Sequence, residues 1–168
     1  MELLYNTIYK QCKLLGKIFM KILPTVKDFI KPEYKTVGSG AFDIYLQSDT
    51  KIITGTDNEV KLGFKAAVPK GYVALLVPRS STGINGLRLR NTIGVIDSDY
   101  RGELIAHIAY DEQGENYYGE EHLFKRGDRI IQCLVVPINQ ESLDIVDCLD
   151  TTERGEGGFG STDENTIV

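Results

Sequence analysis

The chain has 168 residues, 42% of them hydrophobic, and a net charge of −5 from 19 basic and 24 acidic side chains. That length suits one domain with a packed core, and the apolar content excludes wholesale disorder. The acidic balance speaks against a sequence-independent binder of duplex nucleic acid, which needs a basic face.

Cys12, Cys133 and Cys148 are scattered, form no C-x-x-C, and lie far from any useful histidine spacing. This pattern argues against a zinc site and against a disulfide framework. A reducing compartment fits it, so the expected location is the cytoplasm, the nucleus, or the host cytoplasm for a viral chain. No apolar run approaches the ~20 residues of a membrane span, and no membrane partner is expected.

At the N-terminus, Lys10, Lys13, Lys17 and Lys21 against Glu2 give the first 21 residues a charge of +3, leaving −8 for the remainder. Leu4, Ile8, Cys12, Leu15 and Phe19 recur at helical spacing. Two readings stand: a basic amphipathic helix that touches a membrane surface or a partner, or a loosely docked extension. The lysines interrupt any signal-peptide core. The chain therefore divides into an N-terminal extension (1–19), a β-domain (20–150) and a glycine-rich C-terminal tail (151–168).

From Met20 onward the pattern is of short strands. "AFDIYL", "VKLGFKAAV", "GYVALLV", "GLRLRNTIGVI", "ELIAHIAY" and "RIIQCLVVP" are rich in β-branched and aromatic residues, and Gly, Pro, Asn and Asp punctuate them. No long helical period intervenes. The expected fold is all-β, an antiparallel jelly-roll-like sandwich or barrel. The acidic stretch "DEQGENYYGEEH" (111–122) reads as an exposed hairpin loop.

Several stretches carry candidate chemistry. In "LVPRSSTG" a strand ends at Pro78, and Arg79, Ser80 and Ser81 follow; a guanidinium with hydroxyls at a strand end suits a phosphate, although a solvated serine-rich turn reads the same way. In "NTIGVIDSDYRG", Asn91, Ile93, Val95 and Asp97 would share one face of a strand. Asp97, close to Tyr100, could serve as a general base or as a turn-forming aspartate. Gln132 is the polar residue in the apolar run after "RGD", either a satisfied core amide or a ligand-facing one. In the tail, Gly155, Gly157 and Gly160 match a dinucleotide-binding spacing, but no helix can follow. Arg154 suits phosphate, Phe159 suits a base, and Ser161 can donate a hydrogen bond.

Taken together, "SGAFDIYL", "PRSSTG", "NTIGVIDSDYRG", "GDRIIQ" and "RGEGGFGST" resemble, in order, the five motifs of the trimeric dUTP pyrophosphatase (dUTPase) family, over about Met20 to Thr162. The resemblance implies a jelly-roll subunit in a homotrimer whose three sites lie between subunits. It also implies Mg²⁺-dependent hydrolysis of dUTP to dUMP and pyrophosphate, which limits uracil in DNA and supplies dUMP for thymidylate synthesis.

Carried over by motif, Asp97 is implied as the base acting on the attacking water. Asn91, Thr92 and Ile93 would read the uracil edge, and Tyr100 would pack on the deoxyribose. Arg79, Ser80, Ser81 and Gln132 would hold phosphates. Asp43 would act near the metal through water. Arg154, Gly160 and Ser161 would close on the γ-phosphate end, with Phe159 over the uracil.

The chain departs from the family where Ala41 stands two residues before Asp43, a usual glycine, and where Asp163 follows "GFGST". A dCTP deaminase or bifunctional deaminase–pyrophosphatase of the same fold is the nearest alternative. A nucleotide-binding regulator with a second role is the other.

Overall fold

The structure is a computed structural model that describes residues 19–110 and 119–158. The helical reading of the first residues therefore lies outside the described part, apart from Phe19. Ten strands account for the regular structure. They are β1 (Lys21–Pro24), β2 (Phe42–Ile44), β3 (Thr50–Ile53), β4 (Asn58–Ala67), β5 (Tyr72–Pro78), β6 (Leu87–Leu89), β7 (Gly94–Ile96), β8 (Glu103–Tyr110), β9 (Glu121–Phe124) and β10 (Ile131–Pro137). One short helix, α1 (Ser80–Ile84), follows β5.

All pairings between these strands are antiparallel. One sheet runs β1-β4-β8-β6, the second β2-β10-β5-β7, and β3 pairs with β9 in a small ribbon. The alternation of the sequence explains the packing. Val60, Leu62, Phe64 and Ala66 of β4 point inward, as do Leu104, Ala106 and Ile108 of β8. Ala74 and Leu76 of β5 and Ile131 and Cys133 of β10 meet them in one core. Each fully buried Leu, Ile or Phe contributes roughly 1.5–3 kcal/mol of transfer free energy. The same burial pushes the Cys133 thiol up to about 12, so it stays protonated and unreactive.

β4 contains a break in register between Lys61 and Lys65. Gly63 sits there at φ 78°, and a Cβ on it would lie 2.5 Å from Gln47 Cγ. Gln47 uses that space to accept from Ile30 N–H at 2.8 Å and to donate to Ile30 O at 3.1 Å and Tyr45 O at 2.8 Å. The bulge thus fastens the segment after β1 to the sheet.

Two expectations need correction. "GLRLRNTIGVI" is not one strand: β6 pairs with β8 and β7 with β5, and the residues between them turn from one sheet to the other. Thr92 there adopts φ 64°, so Asn91, Ile93, Val95 and Asp97 do not share a strand face. The 111–122 stretch does not close a hairpin either. Its last residues open β9, which pairs with β3 rather than β8, and residues 111–118 lie outside the described part.

Candidate active site

The middle of the second sheet gathers three of the singled-out motifs by register alone. Gln132 on β10 stands opposite Asp43 on β2 and opposite Val77 on β5. Its amide donates to Pro78 O at 3.0 Å, which ties β10 to the strand end that delivers Arg79. The chain then turns into α1, where Thr82 Oγ1 donates to Arg79 O at 2.8 Å, within reach of Ile130 O at 3.1 Å. Ser80 and Ser81 stand exposed at the start of that turn.

Asp43 is the buried charge of this group, 7% exposed. Arg79 Nε lies 2.9 Å from its Oδ1, and an Arg129 terminal nitrogen 2.9 Å from its Oδ2. Arg79 also donates to Arg129 O at 3.1 Å. One carboxylate between two guanidiniums leaves the triad with a net positive charge and two oriented forks, the geometry that recognises phosphate. The sequence singles out Arg79 but not Arg129. An arginine just ahead of an apolar strand shows a cation but not the carboxylate it meets. Beside the triad is a cleft of about 300 Å³, lined by Lys35, Ser39, Asp43, Arg79, Ser80 and Gln132.

Asp97 and Tyr100 belong to a second group. Ile96 of β7 pairs with Ala74 of β5, so Asp97 follows at the opposite end of β5 from Arg79. Ala74 to Arg79 is five residues, about 16 Å at ~3.3 Å per residue. Asp97 is exposed, and its carbonyl accepts from Tyr100 N at 3.3 Å. The Tyr100 hydroxyl donates to Glu103 O at 3.0 Å, which lays the ring across Gly102. A Cβ at Gly102 would lie 2.2 Å from the Tyr100 oxygen, so only glycine leaves that ring in place.

Asn91, Thr92 and Ile93 form the tight turn between the sheets. Thr92 N–H reaches Leu89 O at 3.0 Å and Ile93 N–H reaches Asn91 O at 2.6 Å. Such a closed turn offers backbone groups at fixed positions, with the Ile93 side chain partly in solvent. Arg154 donates from Nε to Gly157 O at 2.8 Å. Phe159, Gly160 and Ser161 lie outside the described residues. One subunit thus brings Asp43, Arg79, Ser80 and Gln132 together and holds Asp97 and Tyr100 apart from them.

The fold and site define a class: an antiparallel β-sandwich with an arginine-lined cleft and a separate aspartate–tyrosine turn. Comparison with known proteins makes this particular. A family profile described as dUTPase matches residues 27–163, and the chain belongs to the dUTPase family. It is 40% identical over 141 residues to a deoxyuridine 5'-triphosphate nucleotidohydrolase of Dictyoglomus turgidum, covering 81% of this chain and 92% of that one. It is 36% identical over 154 residues to the protein of the same name from Tolumonas auensis, covering 88% and 98%. Among solved structures it is similar to a variant dUTPase of Staphylococcus bacteriophage 80alpha with dUpNHpp, at a TM-score of 0.75 and 25% identity over 87% of this chain and 99% of that one.

Proposed function

We propose that this chain hydrolyses dUTP to dUMP and pyrophosphate, in a homotrimer whose active sites are shared between subunits. The observation that carries the reading is the cross-strand set Asp43, Gln132 and Arg79 beside a cleft, with the Asp97–Tyr100 turn at the far end of the same strand. The relatives' shared name, deoxyuridine 5'-triphosphate nucleotidohydrolase, supports the substrate. The similar phage dUTPase structure with dUpNHpp supports it too.

Each residue then has a task. Arg79, Ser80, Ser81 and Gln132 bind the phosphate chain. Asp97 takes the proton of the water that attacks the α-phosphorus, a role its exposed carboxylate leaves open to it. The Asn91–Ile93 turn pairs with the uracil edge through fixed backbone groups and leaves no room for a 5-methyl group. Tyr100, pinned over Gly102, packs on the deoxyribose and crowds out a 2′-hydroxyl. Arg154, Phe159, Gly160 and Ser161 close the tail over the bound nucleotide, with Phe159 on the base.

The partner of Ile96 on β5 stands five residues from Arg79, about 16 Å at ~3.3 Å per residue, and Asp97 lies one residue further out, so one subunit is read as holding its base away from its own phosphate cleft. A neighbouring subunit supplies the missing half. The segment 138–152 fits such an assembly: it runs outside any strand, with Leu143, Ile145 and Leu149 at 95%, 103% and 83% exposure.

Among the described residues no group of three or more His, Cys, Asp or Glu could hold a metal. Asp43 is the carboxylate of the cleft, and its two arginine partners offset its charge, so it would approach a phosphate-carried Mg²⁺ through water. Such an ion would offset phosphate charge in the transition state.

The deciding experiment measures pyrophosphate release from dUTP, dTTP, dCTP and UTP with Mg²⁺, with ammonia followed in the dCTP reaction. Turnover of dUTP alone is expected. Appreciable ammonia from dCTP would replace this reading with a deaminase.

A further inference from the structure

Lys35 lines the same cleft as Arg79, Ser80 and Gln132. Nothing in its own stretch marks it as functional; the fold places it there. Glu33 exchanges both backbone hydrogen bonds with Asp43, N–H to O at 3.2 Å and 2.9 Å, so this segment is laced to the edge of β2. Two residues on, a small turn fixes the rest: Ser39 N–H donates to Thr36 O at 3.2 Å, and Thr36 N–H to Ser39 Oγ at 3.1 Å. Lys35 is held between these anchors.

Its ammonium is also held. It donates to the Glu33 carboxylate and to the Tyr45 hydroxyl, and it lies 5.2 Å from the centre of the Tyr45 ring. The Tyr45 hydroxyl in turn donates to Glu33. An ammonium has three N–H donors, and two are taken by these partners. The third is left over by these two, and the Lys35 side chain is 43% exposed and lines the cleft. A lysine fixed in this way has already lost much of the rotamer freedom that a surface lysine surrenders on binding.

We propose that Lys35 is a further phosphate-binding residue, which donates its free N–H to the β,γ-phosphate end of the substrate and to the pyrophosphate product, with Glu33 and Tyr45 as its positioning residues. The inference rests on the reading of the cleft as the phosphate site. Charge supports it: the Asp43–Arg79–Arg129 triad offers one net positive charge to a polyanion, and Lys35 adds a second cation to the lining of the same cleft. Glu33 gives up part of its hold on Lys35 to that phosphate without leaving a buried charge behind, because its side chain is half exposed.

The test uses the full-length chain as Lys35→Ala, Lys35→Arg and Arg79→Gln, the last leaving Asp43 paired with Arg129. Measured for each are kcat/KM for dUTP, inhibition by inorganic pyrophosphate, inhibition by dUMP, and the melting temperature. Lys35→Ala is expected to lower kcat/KM and weaken pyrophosphate inhibition by roughly tenfold, the scale of one charge-assisted hydrogen bond. Inhibition by dUMP, which lacks the terminal phosphates, and the melting temperature should hold, and Lys35→Arg should restore the loss. If Lys35→Ala leaves pyrophosphate inhibition unchanged while Arg79→Gln weakens it, the proposal for Lys35 fails and the phosphate cleft stands. If dUMP inhibition weakens equally, Lys35 is structural and the proposal also fails. If neither variant alters pyrophosphate inhibition, the cleft itself has been misread.

Discussion

At the scale of single residues, two aspartates of similar sequence context do opposite jobs. Asp97 is exposed and makes no ion pair among the described residues, whereas Asp43 is buried between two arginines. Asp97→Asn should therefore lose at least about 10²-fold in kcat while dUTP binding and stability persist, read from turnover and from titration with a non-hydrolysable analogue. Asp43→Ala should lower stability as well, by about 1–3 kcal/mol, since Arg79 and Arg129 lose their shared acceptor; urea unfolding checks it. Gly102→Ala should leave the core intact but displace the Tyr100 ring, and the ratio of kcat/KM for dUTP over UTP should fall. The motifs single out Asp97, Tyr100, Arg79 and Gln132 as candidates. Nothing in sequence singles out Arg129 or Lys35, because the carboxylate and the cleft they meet come from other stretches of the chain.

Among the elements, strands were easiest to read where alternation runs long. β4, β5, β8 and β10 fall on apolar alternating runs. β3 and β9 were missed, since "TKII" and "EHLF" are short and half exposed and pair only with each other. The break between β6 and β7 was missed as well, because Thr92 turns the chain at a positive φ that threonine seldom adopts. The bulge in β4 was equally hidden, yet it is costly to alter. Gly63→Ala should destabilise the chain by roughly 1–3 kcal/mol, through the strained φ and the displaced Gln47 side chain, as measured by denaturant unfolding. The tail offers the converse case. Removing residues 154–168 should leave the melting temperature nearly unchanged and cripple turnover; a fully active truncated chain would show that the tail does not close the site.

For the molecule as a whole, the proposed trimer requires that half-sites on neighbouring chains complement each other. Asp97→Asn and Arg79→Gln chains, each crippled alone, should regain activity when unfolded together and refolded as mixed assemblies. With random mixing about one quarter of shared sites would draw both native residues, one from each neighbour. Recovery near zero, in assemblies shown by mass to contain both chains, would place each site within one subunit. Light scattering on the unmixed protein should give three times the mass of the chain.

The ladder that places Gln132 between Asp43 and Val77 also has a consequence in time. Backbone pairing on both sides of β10 sets the phosphate end of the site before any nucleotide arrives, whereas the base end hangs on the turn between the sheets. On the proposed reading, the charged cleft meets the triphosphate first and the preformed turn tests the base afterwards. Encounter is thus steered by the charge every nucleotide shares, and discrimination follows as the uracil tries the turn. Wrong triphosphates should enter readily and leave quickly, so that fidelity resides in dissociation rather than in approach.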